Sequence, residues 1–320
     1  MRIGVLLVGL AGMLLAAPGL AAQASGTGNG SSAPRASPGE PAKRTWAPPD
    51  IDESIPPVDP EVSCALPEVL QAAGARLKEL IANLEKFTAT EQIEDVEVTR
   101  SGHPIQRKTG SFNYVVSLHE IRPGMLTTEE FRDGREGPQF FFMNMATNGL
   151  PALVLIFHPY YVADFEMTCE GLGKVNGEPA WQVHFRQRPD RPSRMYSLYI
   201  GNRRYAVDLK GRGWVSERSS QILRLEVDIV EPVKGAGLHR SHKIIEYQPV
   251  HFEKEKTDLW LPARAEVFMD FRGHCFQIRH SFTDYLLFGV AVKQQIGTPS
   301  EPERRPPSVP PETHSPEYPF

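Results

Sequence analysis

Six stretches of this chain alternate apolar and polar side chains with a period of two, and this pattern limits the fold more than any other feature. Phe112, Tyr114, Val116 and Leu118 share one face, opposite Asn113, Ser117 and His119. Phe165, Met167 and Cys169 oppose Glu166, Thr168 and Glu170, and Trp181, Val183 and Phe185 oppose Gln182, His184 and Arg186. Leu223, Leu225, Val227 and Ile229 stand against Arg224, Glu226 and Asp228. Ala263, Ala265, Val267, Met269 and Phe271 stand against Arg264, Glu266 and Asp270, and Phe276, Ile278, His280 and Phe282 against Gln277, Arg279 and Ser281. Strands with one dry and one wet face build an antiparallel sheet. Turn signals separate the runs at Asn176-Gly177, Gly201-Asn202, Gly211-Arg212-Gly213 and Arg272-Gly273. The alternation slips at Pro249 and near Asp284, which predicts bulges that bend the sheet toward closure.

Two segments read as helices, the first from its periodicity and the second from its place between two series of strands. After Pro67 come Val69, Leu70, Ala73, Leu77, Leu80, Ile81, Leu84 and Phe87, spaced three and four apart. They predict an amphipathic helix of about 21 residues, roughly 31 Å long. Glu68 near its start and Lys86 near its end suit the helix dipole. The second is the apolar run Leu153–Phe157 after Pro151, read as a short helix on the dry face of the sheet. A helix along the concave side of a bent sheet gives a half-open barrel with helical cover.

Proline marks the limits of this block. Of 29 prolines, eight fall in residues 25–60 and eight in 297–320, against twelve in 61–296. The organisation expected is a signal peptide over 1–24, a disordered Pro/Gly-rich linker over 25–60, one domain over 61–296 and a disordered Pro-rich tail over 297–320. Arg2, the apolar run Ile3–Ala17 and Ala22-Gln23-Ala24 form the n-region, h-region and cleavage site of an export signal. No cysteine stands at lipobox distance and no other segment reads as a transmembrane helix. The location expected is therefore the periplasm or the exterior.

The order of segments then resembles a known group. An opening helix ends near Phe87, and an apolar helix (Gly149-Leu-Pro-Ala-Leu-Val-Leu-Ile-Phe-His158) interrupts the strands. Gly177-Glu-Pro-Ala-Trp-Gln-Val183, Ser220-Gln-Ile-Leu-Arg-Leu-Glu226, Ile245-Glu-Tyr-Gln-Pro-Val250, Leu259-Trp-Leu-Pro262 and Phe282-Thr-Asp-Tyr285 follow. Over roughly residues 61–292 this is similar to the exported lipoprotein-carrier (LolA/LolB-like) superfamily, as an outlying member. The resemblance implies a mainly β (α+β) fold. It would be a curved antiparallel half-barrel of about ten or eleven strands, with a long N-terminal helix and a short apolar helix covering the concave face. It also implies an apolar cavity for a lipid or a lipoprotein acyl chain. The residues placed to wall such a cavity are Phe140, Phe142, Leu153, Ile156, Phe157, Tyr160 and Tyr161; the competing reading is that they form a packed core plug.

Other chemistry is sparse. Alternation puts Cys169 on the dry face, Cys64 just precedes the covering helix, and Cys275 falls on the wet face, so a Cys64–Cys169 disulfide is expected, with three reduced thiols as the alternative. The ten histidines make no metal signature, and His280, on an apolar face, reads as a hydrogen-bonded core histidine. No G-x-S-x-G elbow, P-loop or H-E-x-x-H occurs, so no cofactor and no enzymatic activity are expected. Residues 186–218 carry nine basic and three acidic side chains, a net +6 in a chain of formal charge −4. Arg186, Arg188, Arg191, Arg194, Arg203 and Arg204 could form a basic surface for an anionic membrane or an envelope protein, or simply a solvated face. Nucleic acid is disfavoured by the export signal and by the overall acidity, and no nucleic-acid partner is expected.

Two functions follow from these features. One is a monomeric envelope protein holding a hydrophobic ligand in its half-barrel. The other is a non-enzymatic interaction or sensor module with a packed interior and a basic docking surface. An internal void separates them.

Overall fold

The helical period at 66–83 and the alternation from residue 86 onward produce one α-helix, α1 (Leu66–Asn83), and a long antiparallel series. The computed structural model describes residues 45–83, 86–122, 125–133, 140–144, 147–200, 202–254 and 256–288. The export signal and the C-terminal tail lie outside the described residues. The strands are β1 (Lys86–Val98), β2 (Pro104–Arg122), β3 (Met125–Asp133), β4 (Phe165–Val175), β5 (Glu178–Gln187) and β6 (Ser197–Ile200). They continue with β7 (Arg203–Ala206), β8 (Leu209–Ser216), β9 (Ile222–Ile229), β10 (Leu238–Phe252), β11 (Thr257–Phe271) and β12 (His274–Leu287). Ten of them form one open sheet in the order β3-β2-β1-β12-β11-β10-β9-β8-β5-β4, and β6 pairs with β7 as a separate hairpin. This is the curved, open antiparallel sheet expected, and it is mostly β.

Helix α1 is shorter than its periodicity predicts. Phe87 lies in β1, paired with Val116 and Leu287, and Lys86 is a strand residue rather than a C-terminal helix cation. Spacing alone did not separate the two, because Phe87 is apolar and in phase with both elements. Val69, Ala73 and Leu77 of α1 enter the main core on the concave face. Beside them lies a 3-10 helix, Pro151–Phe157, with Pro at its first turn and Leu153 to Phe157 all buried.

Bulges set the curvature. One lies where Asp284 takes a left-handed φ of 52° and the β1–β12 register shifts, as the slip near Asp284 predicts. Another shifts the β10–β11 register between Glu246 and Tyr247, just before Pro249. A third, between Trp214 and Val215, turns Leu223 out of the concave series. Leu223 joins Val175, Ala180 and Trp214 in a small convex cluster, while Leu225, Val227 and Ile229 stay in the main core.

Gly211-Arg212-Gly213 is no turn but the middle of β8. A Cβ at Gly213 would collide with the Phe157 ring, and one at Gly211 with Phe185 and the Glu226 carbonyl. These glycines let the 3-10 helix and β5 side chains sit close on the sheet.

Residues 45–60, assigned by composition to the linker, form a strap across the convex face. The Ile51 N–H donates to Asp228 Oδ2 (2.8 Å), and Lys210 Nζ donates to Asp50 Oδ1 (2.5 Å) and Asp52 Oδ2 (2.6 Å). Arg212, almost fully enclosed, pairs with Glu170 and reaches the Ile51 and Ser54 carbonyls. Prolines suit such a strap, which needs few ladder hydrogen bonds of its own. The strap then meets the sheet edge. The Asp59 N–H donates to the Leu172 carbonyl of β4 (2.8 Å), Cys64 is bonded to Cys169 of β4, and α1 begins on the other face. The chain thus folds round edge strand β4 and covers it. Cys275, expected on the wet face, is buried instead, packed with Val96, Val98 and Trp46 of the strap.

Candidate functional site

The seven residues placed as a cavity wall do not gather round one void. Phe140, Leu153, Ile156 and Phe157 are buried in the main core, where Phe140 meets Phe112 edge-on (ring centroids 5.2 Å) and Phe157 meets Phe185 (6.0 Å). They fill the concave face as a plug. Phe142 is half-buried at the edge of the same core, its N–H on Asp95 Oδ2 (2.9 Å) and its ring 4.5 Å from Lys108 Nζ. Burial pushes the Asp95 carboxyl up to about 6. Of the seven, Tyr161 and Tyr160 border open space.

That space is a pair of clefts beside edge strand β3. The first, of about 520 Å³, lies between β3, the start of the 3-10 helix and the β6–β7 hairpin. Leu126, Leu155, Tyr161, Met195, Tyr196 and Leu198 supply apolar surface, while Glu130, Asn148, Arg194 and Arg204 supply charge and polarity. The second, of about 570 Å³, is bounded by Ile81 and Ala82 of α1, Pro159 and Tyr160, with Lys78 beside them. Leu126 borders both. The Tyr161 hydroxyl fixes it there, accepting from the Leu126 N–H (3.2 Å) and donating to its carbonyl (3.0 Å). These two hydrogen bonds to an edge-strand backbone occupy groups that would otherwise be open to pairing.

Behind β3 stands a buried polar network. Alternation puts Leu126, Thr128, Glu130 and Arg132 on the concave side. Arg132 donates to both oxygens of Glu91, from Nε (2.5 Å) and Nη2 (3.0 Å), and also to the Thr147 carbonyl and Asn148 Oδ1. His280 Nδ1 faces Glu91 Oε1 (2.8 Å), and its Nε2 faces the Thr147 hydroxyl (2.9 Å). Burial works against the Glu91 charge, but hydrogen bonds from His280 and Arg132 prevail and hold the carboxyl below its usual range. Burial depresses His280 against the pull of Glu91. The imidazole is then neutral, donating from Nδ1 and accepting at Nε2. Glu130, by contrast, is raised by burial, with its oxygens held by the Tyr114 hydroxyl (2.7 Å) and the Gly149 N–H (2.7 Å).

Thr147, His280 and Glu91 stand in the order hydroxyl, imidazole, carboxylate, as a nucleophilic relay would require. Yet Thr147 is buried and lines neither cleft, and Arg132 holds its carbonyl. The arrangement fastens the loop at Thr147–Gly149, which borders the first cleft, to the sheet. Among the described residues no three or more His, Cys, Asp or Glu side chains gather as a metal site. The histidines instead meet single carboxylates: His184 with Asp52, His242 with Asp228 and His274 with Glu97.

The arginines of the basic segment have different surroundings. Arg186 pairs with Asp52 of the strap, Arg188 with Asp190, and Arg194 bidentately with Asp164 (3.0 and 2.7 Å). Arg191 and Arg203 are exposed, and Arg204 borders the first cleft. Three of the six thus face carboxylates, and the six are carried on β5, the segment after it and the β6–β7 hairpin.

Several charged residues of the cleft and of the concave face behind it were missed at the level of sequence. Glu130 and Arg132, two apart on β3, were the available signal for a charged concave face. Another was Lys243, standing in phase with the apolar Ile245 and Tyr247.

No family model matches this chain, and no curated protein matches it. Among solved structures the chain is similar to a DUF1329 family protein from Desulfovibrio piger, at 10% identity over 74% of this chain and 95% of that one, with a TM-score of 0.39. It is also similar to a LolA superfamily protein from Nitrosomonas europaea, at 11% identity over 69% and 94% of the two chains, with a TM-score of 0.35. Likeness this distant carries no information about a ligand. Among the described residues no helix is long and apolar enough to cross a membrane.

Proposed function

We propose that the protein is an exported, non-enzymatic envelope protein that binds an amphiphile with an acyl-type chain in the cleft between β3 and the β6–β7 hairpin. The observation that carries this reading is the cleft itself, about 520 Å³ with apolar and charged residues on the same wall. That volume lies within the range of about 300–1,000 Å³ common to small-molecule sites. The second cleft, with its apolar lining against α1, gives a chain room to extend. Burial of the aliphatic part would drive binding, at about 25 cal/mol for each Å² removed from water. The site is therefore at the rim of the half-barrel and not in its interior, which the plug of Phe140, Leu153, Ile156 and Phe157 fills. A docking surface of clustered arginines has less support, since Arg186, Arg188 and Arg194 already face carboxylates.

The test is titration of delipidated protein with a fluorescent fatty acid, for the native chain and for Ala152→Trp. Ala152 borders the cleft, and an indole there would fill it. The expected result is saturable binding that weakens at least tenfold in the variant while the unfolding transition is retained. Absence of saturable binding, or equal binding by the variant, overturns the proposal.

A further inference from the structure

Two cations, one bordering the first cleft and one buried behind its Tyr196 wall, have no carboxylate within ion-pair distance among the described residues. Arg204, exposed on β7, borders the cleft, and its Nε donates to the Ser197 hydroxyl (2.9 Å). Lys243 is buried on the concave face of β10, where its Nζ donates to Ser241 Oγ (2.9 Å). The same ammonium sits 4.3 Å from the centroid of the Tyr196 ring, which itself lines the cleft. Tyr196 and Ser197 are consecutive, so the two cations are anchored to neighbouring residues of one wall.

The other charges of the cleft are committed. Arg194 is held bidentately by Asp164. Both oxygens of Glu130 accept hydrogen bonds, from Tyr114 and from Gly149. The surplus in the cleft is therefore positive. Burial pushes the Lys243 amine down to about 8, outweighing the pull of the Asp228 carboxylate, which lies beyond ion-pair distance. A guanidinium at the rim offers the forked donors that fit carboxylate and phosphate oxygens. The π face of Tyr196 transmits little screening, so an anion beside the ring would also lower the cost of the ammonium behind it.

We propose that the ligand of this cleft carries an anionic head, a carboxylate or a phosphate, held by Arg204 and neutralising Lys243 across the Tyr196 ring. This rests on the binding function proposed above and narrows its ligand class.

Three amphiphiles of equal chain length test it: dodecanoate, dodecyl phosphate and dodecanol, each competing with the fluorescent fatty acid on the full chain. The native protein is expected to bind at least one of the two anions tenfold or more tighter than dodecanol. Whether dodecanoate or dodecyl phosphate binds tighter identifies the head. Arg204→Gln is expected to reduce the affinity for that anion at least fivefold more than the affinity for dodecanol, and Arg204→Lys to restore part of the difference. Lys243→Met is expected to reduce the anion preference as well, with an unchanged far-ultraviolet dichroism spectrum. Equal binding of dodecanol and both anions overturns the anionic head while leaving amphiphile binding in place. Binding of none of the three overturns both proposals.

Discussion

Arg132 donates two hydrogen bonds to the carboxylate of Glu91, which is completely enclosed by the concave face. An ion pair so placed offsets a large desolvation cost only while both members are present. Arg132→Met is therefore expected to cost about 3–5 kcal/mol, because it strands a buried carboxylate. Adding Glu91→Gln to the same chain is expected to recover part of that loss. Urea unfolding of the two variants, compared by midpoint and slope, checks this. A single variant with the native midpoint would show that the pair does not hold β3.

His280 and Glu91 together predict weakening in acid. The folded state lowers the affinity of His280 for its proton, so its contribution is complete above the ordinary histidine value and is lost as pH falls through the depressed one. Glu91, also depressed, adds stability above the ordinary carboxylate value and loses it at still lower pH. Asp95, raised to about 6, acts in the opposite sense and gains stability as pH falls. His280→Gln isolates the histidine, since an amide can still donate to Glu91 and accept from Thr147. Unfolding midpoints at pH 7.5 and 5.5 should show the native chain losing stability relative to the variant. Parallel pH profiles would remove His280 as the cause.

The parts of this architecture that were legible in the sequence are those set by local period. Leu225, Val227 and Ile229 alternate against polar neighbours, and that suffices to place β9 with its dry face on the core. Leu223 defeats the same rule because a bulge opposite Trp214 and Val215 reverses its direction, and the bulge depends on pairing with another strand. Gly211 and Gly213 look like a turn until Phe157 and Phe185, distant in sequence, are placed against them. The strap failed for a related reason. Its prolines and glycines indicate little packing, but Asp50 and Asp52 find Lys210 about 160 residues away, as the separations of 160 and 158 show. The cleft is a property of how β3 and the β6–β7 hairpin face one another, which no local window contains.

The Cys64–Cys169 disulfide closes a loop of 105 residues and fastens the strap and α1 to edge strand β4. In the chain-entropy model such a loop contributes about 4–5 kcal/mol. The double variant Cys64→Ser, Cys169→Ser is expected to unfold at markedly lower urea. Its strap, which carries an exposed Glu53, should also be cut faster by a glutamate-specific protease. The native chain should yield one alkylatable thiol, Cys275, and only after denaturation, because that side chain is buried. Two or more reactive thiols without reductant would contradict the disulfide, and an unchanged midpoint in the double variant would contradict its role.

Lys243 makes the opposite prediction to most buried polar groups, namely that removing it stabilises the unliganded protein. Its folded value near 8 lies below the ordinary 10.5, so its contribution is complete above 10.5 and is lost as pH falls through 8. Near neutral pH the ammonium is charged and enclosed, with Ser241 and the Tyr196 ring as neighbours. The shift corresponds to a penalty of about 3 kcal/mol at one unit per 1.36 kcal/mol. Lys243→Met keeps an unbranched side chain, one heavy atom shorter, and removes the charge, leaving the Ser241 hydroxyl to find another partner. The variant should be more stable than the native chain at pH 7, by up to that amount, and the gain should shrink as pH rises toward 10.5. Thermal unfolding at pH 7, 8.5 and 10 measures the difference. A variant less stable at pH 7 would mean that the ammonium is well solvated or paired within the fold, and a gain independent of pH would mean that packing, not charge, is responsible.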